Sequence, residues 1–228
     1  LPPKMRMPSI DDESARANSY FTNNADLIDF RATVSTAPDQ IAIAPGYLVK
    51  EYHEKGRRVF EYAMDHPISN FYAFLSARYL VKREEYKGIT LEIYYHPGHE
   101  YNLDRMMAST KASLDYFGTN FSPYQFRQLR IIEFPRYAQF AQAFPNTVPF
   151  SESIGFILRT GEGDSDLDLP FYVTAHEVAH QWWGHQVVGA IHRLLVAAGQ
   201  GKEVLLQVDD AHDQGFDTSA SKAGQSAQ

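Results

Sequence analysis

Three residues of one short segment have the types and the spacing of a hydrolytic zinc site. His176 and His180 bracket Glu177 in the pattern H-E-x-x-H, within TAHEVAHQWWGHQ. On a helix, positions i and i+4 lie about one turn apart on one face, so both imidazoles can reach one zinc ion at about 2.0–2.1 Å. Glu177 lies one step round the helix, where it can accept a proton from a zinc-bound water. The pattern therefore predicts zinc held by the two histidines, with Glu177 as general base.

The surroundings of the pattern favour this interpretation and leave a second one open. Val178 and Trp182 are apolar and lie opposite the histidines, as expected for a helix that packs one face on a core. The alternative is an amphipathic helix whose histidines are satisfied by hydrogen bonds alone.

A zinc peptidase site needs a third protein ligand, and the position of that ligand decides its type. A histidine six residues after His180 would indicate the metzincin type, but that position is Gln186. On a continuous helix His185 points about 140° away from His180, so it is a poor ligand unless the helix breaks at Gly184.

Hydrophobic periodicity predicts the elements that must position this motif. Apolar and polar residues alternate between Pro and Gly turn signals in the first part of the chain, which is typical of antiparallel strands. A helical period follows, with a predicted stop at Gly118, and a second helix is predicted from about Pro170 through Val187, beginning near Asp168. The predicted strands are 30–36, 41–52, 57–65, 71–86, 88–98, 126–137 and 151–160, the first helix is 102–118, and 161–170 is predicted to be an acidic loop.

Composition excludes several classes of protein. The net charge of -7 does not suit a nucleic-acid partner, which needs a basic face, and the absence of cysteine excludes disulfides and thiolate metal sites. No apolar run approaches the roughly 18 residues that cross a bilayer, so a soluble domain is expected. Residues 1–17 lack the apolar segment of a signal peptide and are predicted to be a linker. Residues 191–228 contain one aromatic residue, Phe216, and are predicted to be a largely disordered tail.

The segment VTAHEVAHQWWGHQVVG (173–189) resembles the zinc-binding helix of the M1-type aminopeptidases. The preceding order is also similar to that family: GITLEIYYHPG, a helix ending in LDYFG, LRIIEFPRY and SESIGFI. The chain most resembles bacterial M1-like domains fused to ABC-type transporter permeases, over about residues 1–190. The resemblance implies zinc as cofactor and a peptide with a free N-terminus as substrate. It also implies attachment of the full-length protein to a membrane permease in the bacterial inner membrane.

The resemblance also assigns a substrate-binding residue. The family's G-x-M-E-N strand corresponds to FSESIGFI, where Glu152 matches the glutamate that binds the amino terminus, while Ser151 and Ser153 replace its two neighbours. A carboxylate at the edge of a sheet near the zinc can hold an ammonium group, which selects exopeptidase chemistry. The same strand could pair with the substrate backbone by β-addition. The alternative is a solvent-facing strand glutamate.

Two further residues that the resemblance implies are missing at their expected positions. The family's third zinc ligand is a glutamate nineteen positions after the second histidine, which is Gly199 here. Glu203 is the candidate replacement, with Asp209 and Asp210 as weaker ones. The family's oxyanion-stabilising tyrosine has no counterpart, because no tyrosine follows Tyr172.

The sequence therefore predicts an α+β chain: the end of an N-terminal antiparallel β-domain, followed by the first part of a thermolysin-like zinc peptidase domain. The predicted divisions are the linker 1–17, a β-sheet domain 18–88, a catalytic domain 89–190 and the tail 191–228. The predicted function is hydrolysis of N-terminal peptide bonds, impaired by the missing third ligand and tyrosine. One alternative is a non-catalytic scaffold or peptide-binding domain associated with a membrane transporter. Another is an endopeptidase that uses the same helix.

Overall fold

The computed structural model describes residue 12, residues 27–160 and residues 167–187. Over these residues the chain forms short strands and two helices, a mixture compatible with the predicted α+β class. The strands are β1 (Leu27–Ile28), β2 (Arg31–Thr36), β3 (Ile41–Ile43), β4 (Tyr47–Glu54), β5 (Arg57–Ala63), β6 (Ile68–Ser69), β7 (Leu75–Ala77), β8 (Leu80–Tyr86), β9 (Ile89–Tyr95), β10 (Gln128–Phe134) and β11 (Thr147–Ser151). The helices are α1 (Leu103–Asn120) and α2 (Leu169–Ala179).

The first seven strands pair antiparallel, as the alternation predicted. They form a three-stranded sheet in the order β2-β5-β4 and two small ladders, β3 with β7 and β1 with β6. The predicted strand 41–52 is divided into β3 and β4 because the chain turns at Gly46, whose φ is 90°. A Cβ atom at Gly46 would lie 2.7 Å from the backbone carbon and oxygen of Ala63, so this close turn requires glycine.

A four-stranded sheet in the order β11-β10-β9-β8 carries the second part of the chain. Strands β8 and β9 form a hairpin whose two loop residues, Lys87 and Gly88, have φ values of 51° and 81°, as in a type I′ turn. Strands β9, β10 and β11 are parallel, and helix α1 forms the crossover from β9 to β10. The carboxyl ends of these three strands therefore meet at one edge of the sheet.

The predicted strand 151–160 is wrong. β11 ends at Ser151, where that prediction began, and the chain then turns back through hydrogen bonds from Ile154 N–H to the Ser151 carbonyl oxygen and from Ile157 N–H to the Glu152 carbonyl oxygen. The observed strand, β11, contains Pro149. Proline has no N–H for a ladder and is rare inside sheets, so the sequence pattern did not indicate a strand at this place. Glu152 therefore follows a strand instead of lying within one. The predicted strand 71–86 is likewise divided, into β7 and β8.

The helix boundaries agree with the prediction at their starts and differ at their ends. Asp168 caps α2 by accepting a hydrogen bond from Phe171 N–H at 3.1 Å, and Pro170 lies in the first turn. However, α1 continues past Gly118 to Asn120, and α2 ends at Ala179 instead of reaching Val187. Tight turns follow Ala179, because the Gln181 side chain is held by Asn146 N–H and by the Phe144 carbonyl oxygen.

The two helices pack against each other and against the four-stranded sheet around one core. Val178 and Trp182, the predicted apolar side of the H-E-x-x-H segment, are 0% and 2% exposed. The Trp182 indole N–H also donates to the Ser122 carbonyl oxygen at 2.8 Å. The other buried members of this core are Leu91, Ile93, Leu103, Met106, Met107, Leu114, Leu129, Ile131, Ala143, Val148, Phe150 and Phe156.

The predicted division at residue 88 separates two strands that pair with each other. β8 lies before this boundary, yet it pairs along its whole length with β9. The predicted linker, apart from residue 12, and the predicted tail lie outside the described residues, and the domain limits stay a prediction. Within the part of the chain that the structure describes, no helix combines the length and apolarity needed to cross a membrane.

A buried arginine joins the four-stranded sheet to the first strands. Arg130 on β10 is 2% exposed, and its Nη2 donates to the Ala44 carbonyl oxygen and to Thr147 Oγ1, both at 2.8 Å. Ala44 lies between β3 and β4, so the Arg130 side chain gives a hydrogen bond from the four-stranded sheet to the backbone of the first strands. Gln128 on the same strand repeats the connection by donating to the Gly46 carbonyl oxygen at 2.7 Å.

Replacing this arginine should destabilise the fold. In Arg130→Met the carbonyl of Ala44 and the hydroxyl of Thr147 lose their buried donor, so we expect the free energy of unfolding to fall by about 2–4 kcal/mol. Urea unfolding at neutral pH measures the change. Arg78→Met is the control, because the Arg78 side chain is 72% exposed and its loss should cost less than about 1 kcal/mol. Equal stability of the two variants would contradict the role of Arg130.

Candidate functional site

The two histidines of the H-E-x-x-H segment lie side by side. His176 is in the last turn of α2, and His180 is the residue that caps its end. Their Nε2 atoms are 3.2 Å apart, and their rings are nearly perpendicular, at 86°. Two nitrogen ligands at about 2.0–2.1 Å from a tetrahedral zinc lie about 3.3 Å apart. The spacing of these two nitrogens therefore fits one zinc ion.

The hydrogen bond behind His180 leaves the correct nitrogen available. Its Nδ1 lies 3.1 Å from the Trp183 carbonyl oxygen, which can only accept, so Nδ1 must carry a hydrogen. In the neutral ring the lone pair is then on Nε2, the atom that is close to His176. A carbonyl partner on the far nitrogen is the usual support of a metal-ligating histidine. Burial, and next the neighbouring His180, lower the pKa of His176, which favours the neutral form that a metal requires.

Glu177 lies on the buried side of this pair. It is 6% exposed, and it accepts a hydrogen bond from the backbone N–H of Ala143. Its second carboxylate oxygen, Oε2, is buried without a hydrogen-bond partner among the described residues. Burial raises the pKa of Glu177, while His180 and the Ala143 N–H act in the opposite direction. A buried carboxylate oxygen with no protein partner calls for a water or an ion beside it, as a general base in a zinc site would have.

His185 is turned away from the pair and has partners of its own. Its Nε2 is 3.0 Å from the Ala143 carbonyl oxygen, and its Nδ1 is 3.3 Å from Ser69 Oγ. The carbonyl requires a hydrogen on Nε2, and Nδ1 then accepts from the serine hydroxyl. Burial lowers the pKa of His185 to about 4, partly opposed by the Ala143 carbonyl. His185 therefore links β6, the segment around Ala143 and the chain after α2 as a neutral side chain.

The histidine pair has no third neighbour of the right type in the described ranges. Across residues 27–160 and 167–187, no aspartate, glutamate or further histidine joins His176 and His180 in a group compact enough for one ion. The predicted third ligand, Glu203, and the weaker candidates Asp209 and Asp210 lie outside the described residues.

Glu152, the predicted substrate-binding residue, belongs to a different group. Its Oε1 accepts from Arg136 N–H at 3.1 Å, and its Oε2 is 3.9 Å from His99 Nδ1. His99 Nδ1 also contacts Oε1 of Glu133, and ligand atoms of these three residues all lie within 4.8 Å of one another. This group could hold a metal ion. The sequence does not single out His99 or Glu133, although both lie near the carboxyl ends of two predicted strands.

Glu133 is the most buried member of this group. Its side chain is 0% exposed, and its Oε2 accepts from His96 N–H at 2.6 Å. Burial raises the pKa of Glu133, and the bonds from His99 and His96 oppose this effect. A fully buried carboxylate requires paired charge and hydrogen bonds, which here come from the turn after β9.

The edge of β11 is not free for β-addition of a peptide. One side of β11 pairs with β10, and the other side receives residues 140–144 through hydrogen bonds from Gln142 N–H to the Pro149 carbonyl oxygen and from Ser151 N–H to the Phe140 carbonyl oxygen, both at 3.0 Å. In the described structure both edges of β11 are therefore already paired, and β-addition there would require residues 140–144 to be displaced. Residues 140–144, which cover this edge of β11, form the covering segment.

Comparison with known proteins gives a weak relationship to a peptidase. No protein-family model matches the chain. A leucyl aminopeptidase of Saccharolobus solfataricus is 26% identical over 163 residues, which are 69% of this chain and 20% of that relative. The chain thus spans about a fifth of the length of the relative that it matches, and the similarity suggests a peptidase relationship without identifying a family.

Acid should weaken the fold through His185. A folded-state pKa of about 4 against the usual 6.5 means that the unfolded chain binds a proton first, so stability is lost as pH falls from about 6.5 to about 4. The total loss from this residue should be roughly 3 kcal/mol. In His185→Gln, which can still donate to Ala143, this part of the pH dependence should vanish.

Urea unfolding at several pH values between 4 and 7 measures this effect as the difference between wild type and variant. His53→Gln is the matched control, because His53 is an exposed histidine on β4. An identical pH dependence in wild type and His185→Gln would show that His185 is not held neutral.

Proposed function

We propose that this chain is a zinc metallopeptidase domain of the M1 aminopeptidase type that hydrolyses N-terminal peptide bonds. The observation that carries the proposal is the 3.2 Å approach of the His176 and His180 Nε2 atoms, with the far nitrogen of His180 held by a carbonyl oxygen. The weak similarity to a leucyl aminopeptidase supports the same class of reaction.

Glu177 is proposed as the general base of the reaction. When bound, zinc would polarise the peptide carbonyl and lower the pKa of a coordinated water. Glu177 lies beside the histidine pair, with one oxygen fixed by Ala143 N–H and the other without a partner among the residues that the structure describes. The free oxygen can accept the proton of the attacking water, and burial raises its pKa towards the value that proton return to the leaving amine requires.

Glu152 is proposed to bind the amino terminus of the substrate. Together with Glu133 it gives this end of the sheet two carboxylates. The side chains of His99 and of the exposed Arg136 offset part of that charge. A region of negative charge attracts an ammonium group, and Glu152 is the less buried of the two carboxylates, with 15% of its side chain exposed.

The third zinc ligand is proposed to come from residues outside the described ranges, with Glu203 as the candidate. Glu203 lies four positions after the place where the resemblance puts this ligand, so we expect weak zinc binding and low activity from this chain. Attachment of the longer protein to a membrane permease stays a prediction from the resemblance.

Removing the base should abolish hydrolysis without removing the metal ligands. For Glu177→Gln we expect the rate of leucine p-nitroanilide hydrolysis to fall at least about 100-fold, because the amide cannot accept the proton. The fold should survive, since glutamine still offers an oxygen to Ala143 N–H. Initial rates with zinc added give the measurement, and Glu54→Gln, an exposed glutamate on β4, is the matched control.

Elemental analysis separates this proposal from its alternative. His176→Ala should lose one equivalent of zinc relative to wild type. Unchanged hydrolysis in Glu177→Gln would refute the role of the base. A folded wild-type chain that neither hydrolyses the substrate nor loses zinc in His176→Ala would favour the non-catalytic scaffold.

Glu152 should affect substrates that have a free amino group. In Glu152→Gln we expect the KM for leucine p-nitroanilide to rise about 10–100-fold, because a charged partner of the ammonium is lost. Hydrolysis of a peptide with a blocked N-terminus should not change. Glu100→Gln, which changes an exposed glutamate, controls for a general effect of charge. Efficient hydrolysis of blocked peptides by both wild type and Glu152→Ala would instead favour an endopeptidase.

A further inference from the structure

Three potential ligands come from the carboxyl ends of three neighbouring parallel strands. Glu133 is near the end of β10, Glu152 follows β11, and His99 follows β9 by one short turn. The register places Phe134 opposite Ser151 and Ile132 opposite Tyr94, so the three chains leave the sheet at the same level. In sheets with parallel strands the carboxyl ends are the usual place for a bound ligand.

Backbone contacts fix each of the three residues. The turn after β9 is closed by a 3.1 Å hydrogen bond from His99 N–H to the His96 carbonyl oxygen, with Gly98 at a φ of 90°. Glu152 N–H donates to the Phe134 carbonyl oxygen at 2.9 Å. Glu133 is held by the backbone pairing of β10, an inner strand of the sheet, and its side chain is fully buried. The group is thus assembled by the fold and not by flexible side chains on a surface.

Two carboxylates of this group converge on one imidazole nitrogen. Oε1 of Glu133 contacts His99 Nδ1, and Oε2 of Glu152 lies 3.9 Å from the same nitrogen. In the neutral ring a hydrogen on Nδ1 bonds to Glu133, and it adds no positive charge to the two carboxylates. A divalent cation that replaces this hydrogen would compensate both of them. Arg136 compensates little, because its Nε is 3.9 Å from Glu152 and its side chain is 73% exposed.

We propose that His99, Glu133 and Glu152 bind one divalent cation of the zinc or manganese type, separate from the His176–His180 pair. One imidazole and two carboxylates match the preferences of these ions, whereas calcium and magnesium prefer oxygen ligands alone. Two carboxylates and a neutral histidine balance a charge of +2. To reach zinc-like ligand spacing, Glu152 must move inward and the contact between His99 and Glu133 must open. The partial exposure of the Glu152 and His99 side chains permits both movements.

The cation would control the proposed amine-binding residue. Glu152 cannot hold a metal ion and a substrate ammonium with the same oxygen, so the two cations compete for it. The metal site itself does not rest on the proposed function, because its ligands include neither His176 nor His180. Excess zinc would therefore act against an aminopeptidase reaction at a position distinct from the histidine pair.

The test uses the full chain with the other candidate site removed. In the double variant His176→Ala/His180→Ala, titration calorimetry with zinc alone, and separately with manganese alone, should show one equivalent of bound metal. Adding His99→Ala, or separately Glu152→Gln, should weaken binding about 100-fold or more. The first change removes a ligand, and the second replaces a carboxylate by a neutral amide. Glu100→Gln, exposed and next to His99, is the control that should bind normally.

Two results would overturn the site. One is the absence of metal binding by the double variant, which would leave His99 and Glu133 as an ordinary ion pair. The other is binding that survives both His99→Ala and Glu152→Gln, which would place the ion elsewhere. Circular dichroism of each variant checks that it is folded. If His99→Ala unfolds the chain, Glu152→Gln still tests the site. Failure of the proposed peptidase would appear separately, in Glu177→Gln and His176→Ala.

Discussion

The parallel pairing of β9, β10 and β11 is the constraint on which the rest of the described structure depends. Parallel neighbours need a crossover, and helix α1 supplies it, which places α1 against the sheet and beneath α2. The same pairing brings the ends of three strands together, with His99, Glu133 and Glu152 around them. Antiparallel pairing of β10 would have sent Glu133 to the opposite edge, and neither the helix packing nor the ligand group would exist.

Ala143, in the covering segment, connects this sheet to the H-E-x-x-H helix. Its backbone N–H bonds to the carboxylate of Glu177, and its carbonyl oxygen accepts from His185. The covering segment is itself paired with β11, so the hydrogen bond from Ala143 fixes the position of Glu177 relative to the sheet. The proposed peptide substrate would have to reach the histidine pair by another route than the covered edge of β11, or displace these residues.

The sequence predicted local features well because local chemistry decides them. Asp168 and Pro170 marked the start of α2, alternation marked β2 and β5, and the i, i+4 spacing brought His176 beside His180. Features decided by distant contacts were missed. The early end of α2 depends on the side chain of Gln181 reaching Asn146 and Phe144. Likewise, His99 and Glu133 are 34 residues apart and meet only because their strands are parallel and adjacent.

Both carboxylates at the centre of the two candidate sites are held in conditions that disfavour their charge. Burial raises the pKa of Glu133 and of Glu177, so each contributes stability at pH values below its usual pKa, and this contribution is lost as pH rises through its folded-state pKa. At neutral pH these residues therefore work against the fold. A cation that binds only the folded chain offsets that cost, and by mass action it stabilises the fold further as its concentration exceeds its dissociation constant. Apolar residues at these two positions would stabilise the fold more than buried carboxylates do. Binding of a cation is therefore a better explanation of these carboxylates than packing.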